Sequence, residues 1–278
     1  MRKSAITLFG AAAVAALSFT ACSSGSADSA GGSNSSLPVI ESGSLTVCIS
    51  KNAYEPLYWK DGETFTGFDP DSITAIADEL GLTVKYNVSA FDGLLPALMS
   101  GRCDVLRSGL YINEERSSNA DAIPYLQTGP ALIVPKGNPL GLESPEDLSG
   151  VKIAVQGASA NEKILQELSA QFEADGKPGI ELSVYPELPE TIAALQNGRV
   201  DATMETDVAA NQAAETLGDE FEVATEVFPA ETDFGMFLTK DSEFTAKITE
   251  VAQKLTDDGT FAQLAEKYGL LPDRIVAP

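Results

Sequence analysis

The chain contains no histidine, and its 278 residues include only three cysteines and one tryptophan. Without histidine, neither a Ser-His-Asp nor a Cys-His mechanism can be built, and no His-containing metal site is available. No metal or cofactor is therefore expected. Basic residues are also scarce, with 18 Lys and Arg against 41 Asp and Glu and a net charge of -23. Such a surface repels a phosphate backbone, which argues against nucleic acid as a partner. Long apolar runs are missing too. Ile6 to Phe19 is short for a membrane span, and no later stretch approaches the roughly 20 apolar residues a spanning helix needs. Gly157 follows a predicted strand without the two further glycines of a dinucleotide fingerprint.

The N-terminus does carry a signal. Met1-Arg2-Lys3, the apolar run and the small-residue stretch Thr20-Ala21-Cys22 read as an export signal over residues 1–22. Leu17 to Cys22 resembles a bacterial lipobox, with Phe19 in place of the usual Leu, which would make Cys22 the lipidated first residue and the lipid bilayer a partner. Residues 23–42, rich in Ser and Gly, suit a flexible tether. Cys48 and Cys103 then remain as an even pair in an oxidising compartment, and a disulfide is expected between them.

Past the tether, strands and helices alternate. Leu45–Ser50, Leu82–Val88 and Cys103–Leu106 read as strands, separated by helices stopped at Gly81 and Gly101. Val151–Val155, Ile180–Tyr185 and Val200–Met204 repeat the theme. Such βαβ order implies two α/β lobes with mostly parallel sheets and a ligand cleft at the strand ends. Residues 43–131 and 237–278 are assigned to lobe 1 and residues 132–236 to lobe 2. Hinge segments are expected near 131–135 and 233–238.

Arg116 stands out electrostatically. Asn113 reads as the N-cap of a short helix, which puts Arg116 in a first turn whose dipole favours anions. Either an anionic ligand resolves the conflict, or Arg116 bridges Glu114 or Glu115 on the surface.

Gly67-Phe68-Asp69, Phe91-Asp92-Gly93-Leu94, Ser108-Gly109-Leu110, Glu115-Arg116, Val155-Gln156-Gly157 and Asp258-Gly259-Thr260-Phe261 occur in one order. In that order the chain resembles family 3 bacterial solute-binding proteins, the amino-acid receptors of ABC importers. The resemblance implies a periplasmic-binding-protein type II fold, two Rossmann-like lobes joined by a two-strand hinge, with a permease as partner. It implies that Arg116 grips a ligand carboxylate, aided by the amides of Leu110 and Ser159. Ser108 would accept from the ligand amine, and Phe91 and Tyr54 would pack on the ligand. Two positions depart from the family. Thr206 stands where an aspartate usually holds the ammonium, and Tyr111 where a small Ser or Thr is usual. Glu205 or Asp207, on either side of Thr206, could supply the missing acid. The expected ligand is an amino acid, with an opine, a modified amino acid or another small carboxylate as alternatives. A competing reading makes Glu205 the general acid of an enzyme on this scaffold, similar to a cyclohexadienyl dehydratase.

Overall fold

Alternating apolar and turn-forming segments build two five-stranded sheets and a small two-stranded one among the described residues. The computed structural model describes residues 37–224 and 226–278. The export signal and Cys22 lie outside them. The chain begins with β1 (Ser44–Ser50), a hairpin of β2 (Trp59–Asp61) and β3 (Thr64–Thr66), and α1 (Phe68–Glu79). It continues through β4 (Thr83–Ser89), α2 (Leu94–Met99), β5 (Val105–Tyr111), α3 (Glu114–Asn119) and β6 (Ala120–Thr128). A second run holds β7 (Pro130–Pro135), β8 (Lys152–Gln156), α4 (Ala160–Ala174), β9 (Glu181–Tyr185) and α5 (Leu188–Gln196). β10 (Ala202–Thr206), α6 (Asp207–Leu217) and β11 (Phe221–Ala224) complete it. Last come β12 (Thr232–Thr239), α7 (Glu243–Asp257) and α8 (Thr260–Lys267).

The first sheet has the order β4-β1-β5-β12-β6 and the second β11-β7-β10-β8-β9. In the first, β1 runs parallel to β4 and β5, while β12 is antiparallel to β5 and β6. In the second, β8 is parallel to β9 and β10, and β7 is antiparallel to β10 and β11. Each sheet has its own core. Leu45, Phe68, Ile76 and Phe234 belong to the first, and Leu132, Ile153, Leu165 and Met204 to the second. On α7, Ile248, Val251, Ala252 and Leu255 recur at helical spacing and are buried, so the C-terminal helices return to the first lobe. No described helix is long and apolar enough to cross a membrane.

The chain crosses between sheets at Gly129 and again between β11 and β12. The runs expected as hinges, near 131–135 and 233–238, instead lie inside β7 and β12. Their apolar side chains belong to the cores of the two lobes. The two crossings touch. A Cβ on Gly129 would sit 2.6 Å from the Pro229 carbonyl oxygen, so only glycine permits this approach. Cys48 of β1 and Cys103, just ahead of β5, form the expected disulfide with their Cα atoms 5.6 Å apart.

Candidate functional site

The strand ends of the two lobes meet. β1 leads into Lys51, Asn52 and Tyr54, and β5 ends at Tyr111. From the other lobe, β10 ends at Thr206, and β8 runs toward Ser159 at the head of α4. Tyr54 Oη and Thr206 Oγ1 share a 2.8 Å hydrogen bond across the gap. Lys51 Nζ lies 2.6 Å from Glu187 Oε1, and Asn52 Nδ2 donates to the same carboxylate. Tyr54 is held in place from behind by Gly109, where a Cβ would fall 2.7 Å from the Tyr54 ring and φ is +61°.

Arg116 is only 7% exposed. Asn113 caps α3 as expected, its Oδ1 accepting from the Arg116 amide at 2.8 Å. That amide is therefore unavailable to a ligand, and the guanidinium is left as the anion-binding group. Its Nη1 donates to the Tyr111 carbonyl oxygen at 2.8 Å. Among the described residues no carboxylate lies within salt-bridge distance of Arg116. The bridge to Glu114 or Glu115 is thus not formed. Burial lowers the Arg116 pKa to about 10, with nearby Glu115 acting the other way. A buried guanidinium without a counter-ion is costly, and an incoming anion would relieve it.

Arg116 lines a cavity of about 230 Å³ with Phe91, Leu110, Asn113, Ser159 and Lys163. Phe91 opens a short turn ahead of α2 and is half-buried. Ser159 caps α4 by accepting from the Glu162 amide at 3.1 Å. The structure thus gathers Arg116, Phe91, Leu110 and Ser159 around one space. Ser108 is elsewhere, fully buried at the strand ends, where its Oγ accepts from the Ser50 amide at 3.1 Å.

The two acids flanking Thr206 have different surroundings. Asp207 accepts from Thr128 Oγ1 at 2.6 Å and from the Val208 amide at 2.8 Å, and it pairs with Arg274. Its bonding capacity is committed. Glu205 is 4% exposed, and burial raises its pKa to about 8 against the opposing hydrogen bond of the Thr206 amide. Thr206 itself caps α6 through the Ala209 amide. The Tyr111 ring stacks on Phe234 with centroids 5.6 Å apart, and among the described residues its buried hydroxyl has no hydrogen-bond partner. Asn161 Oδ1 is likewise buried and unpaired. Asn161 escaped the sequence reading, because a polar residue in a first helical turn looks like an ordinary solvated position.

The model of the bacterial extracellular solute-binding proteins, family 3, matches residues 45–270. The chain belongs to this family. Among relatives of this solute-binding protein, L-cystine-binding protein TcyJ of Escherichia coli (strain K12) is 28% identical over 234 residues, covering 83% of this chain and 84% of that protein. An ancestral arginine-binding protein bound to arginine superposes with TM-score 0.73 at 30% identity, covering 81% of this chain and 98% of the other. The ancestral amino acid-binding protein AncCDT-1, a precursor of cyclohexadienyl dehydratase, gives TM-score 0.71 at 28% identity, covering 81% and 95%. The solute-binding protein has the expected type II periplasmic-binding fold, α/β with two lobes.

Proposed function

We propose that the protein is the extracytoplasmic receptor of an ABC importer and closes on an amino acid whose carboxylate is held by Arg116. The buried guanidinium, without a counter-ion among the described residues, carries this reading, and it faces a cavity shared by both lobes. The relatives named for cystine and arginine binding support an amino acid as the ligand. Phe91 and Leu110 supply apolar contact and Ser159 marks the facing lobe. In this reading Cys22 carries the lipid anchor, the tether ends ahead of residue 42 because Leu37 and Val39 pack against the first core and the Ile40 amide donates to Asp104, and the closed receptor is what the permease recognises. The protein binds and releases its ligand without changing it. Glu205 is read as a binding group rather than a general acid, since the neighbour linked to a dehydratase is itself named an amino acid-binding protein.

Charge-assisted hydrogen bonds contribute about 1.5–3 kcal/mol each. Arg116→Ala should therefore weaken binding of an amino acid found by thermal-shift screening at least tenfold in calorimetry, with the melting curve of the free protein retained. The ligand should be recovered unaltered from the wild-type sample. Unchanged affinity in the variant would remove Arg116 from the site, and consumption of the ligand would show an enzyme.

A further inference from the structure

The chain continues past its last helix and doubles back. After α8, residues 271–278 turn once at Pro272–Arg274 and run along β6, the edge strand of the first sheet. Ile275 bridges Leu126 there, and the Val276 amide donates to the Tyr125 carbonyl oxygen at 3.2 Å. The tail therefore belongs to the first lobe, laid beside the strand that runs into the Gly129 crossing. Its Arg274 reaches across to Asp207, the first residue of α6 in the second lobe.

Asp207 divides its two oxygens between the crossing and the tail. Oδ1 accepts from Thr128 Oγ1 at 2.6 Å and from the Gly129 amide at 3.4 Å, while Oδ2 accepts from Arg274. The Asp207 amide in turn donates to the Gly129 carbonyl oxygen at 2.8 Å. Pro229 and Ala230 of the second crossing lie against the same glycine. Both covalent connections between the lobes and the tail thus meet near one carboxylate. A helix N-terminus disfavours a cation, so it is Asp207 that keeps Arg274 at the head of α6.

Little else joins the tail to α6. A cavity of about 260 Å³ separates them, lined by Tyr268, Leu271 and Arg274 on one side and Val208, Asn211 and Glu215 on the other. Val208 packs against the first core. Among the described residues, Arg274 makes the only hydrogen bond between residues 271–278 and α6. Rotating one lobe against the other at the crossings changes the width of this gap, and the ion pair is what spans it.

We propose that the C-terminal tail is a releasable third tie between the lobes, which restrains opening at the hinge through Arg274. The two crossings are covalent and limit how far the lobes can separate. The tail is held by one ion pair and limits how often they do. The tie acts on the unliganded protein, so it stands whatever the cleft binds and is independent of the reading of Arg116.

The test uses the full chain without ligand. Arg274→Met keeps an unbranched side chain and removes the charge, and Arg274→Lys restores the charge without the guanidinium fork. In Arg274→Met the radius of gyration from small-angle scattering should rise. Amide exchange over residues 126–130 and 204–210 should be about tenfold faster, as expected when a charge-assisted hydrogen bond that restrains a local opening is lost. Exchange in β1 and β8, inside the two lobes, should keep the wild-type rate, and Arg274→Lys should recover part of both effects. Wild-type scattering together with wild-type exchange at the crossing in Arg274→Met would overturn the tie. Faster exchange spread evenly over both lobes would assign Arg274 to the stability of the fold and overturn it as well.

Discussion

Two buried arginines sit close together in this chain and have opposite surroundings. Arg107 on β5 donates through Nε to Asp69 Oδ1 at 3.1 Å, with both side chains 1% exposed. Tyr125 donates to the other oxygen of Asp69 at 3.2 Å, and the Arg107 guanidinium lies 3.8 Å from the centre of the Tyr125 ring. Arg107 thus carries its counter-ion within the lobe, whereas among the described residues Arg116 has none. Asp69 does not cap α1. That position is Gly67, and Asp69 lies inside the helix. Burial pushes the Asp69 carboxyl above its ordinary range even though Arg107 pulls the other way, so desolvation is not fully offset by the partner. Removing one member should cost more than removing both. Asp69→Ala should destabilise the protein by about 3–5 kcal/mol, while the pair Asp69→Leu and Arg107→Met recovers most of the loss. Urea unfolding of the single and double variants measures this directly. A single variant as stable as the wild type would show that the ion pair contributes nothing to the fold.

The disulfide ties two elements at the centre of the first sheet. β1 and β5 are parallel neighbours, with Val47 opposite Val105 and Cys48 opposite Leu106, and the bridge closes a loop of sequence separation 55. For a loop of that length the chain-entropy model gives about 4 kcal/mol. Replacing both cysteines by alanine should therefore lower the melting temperature by about 8–16 °C, at about 2–4 °C per kcal/mol for a chain of this size. Ligand affinity should hardly change, because the bridge lies in the core of one lobe; a melting temperature within a degree of the wild type would contradict the entropic account. β1 and β8 are legible in the sequence as short apolar runs bounded by turn residues, whereas the apolar run of β12 reads there as a hinge segment. β6 is not, since Asp121 and Pro124 interrupt its pattern and its pairing with β12 shifts register between Phe234 and Gly235. The hairpin β2–β3 and the strand β11 are too short to stand out. The same limit applies to the site. The Asn113 cap is local and readable. Which acid near Thr206 stays free depends on Arg274, 67 residues from Asp207, and no local pattern encodes such a contact.

The lobes hold each other without help from a ligand. Lys51 and Asn52 reach Glu187, Tyr54 reaches Thr206, and Arg274 reaches Asp207. Contacts made only when the lobes meet favour closure whether or not the cleft is filled, so they slow ligand escape. Lys51 is the clearest probe, because Glu187 also belongs to a capping box at the start of α5 and its removal would disturb that helix. The Lys51 side chain is 51% exposed, so its ion pair is weak and screened by salt. Lys51→Met should raise the ligand off-rate modestly, with a smaller effect on the on-rate. It should also shift the unliganded protein toward a larger radius of gyration in small-angle scattering. Raising the salt concentration should bring the wild type toward the variant, because the lost attraction is the one that ions screen. Identical off-rates and scattering at low salt would mean that Tyr54, Thr206 and Arg274 close the cleft without the Lys51 pair.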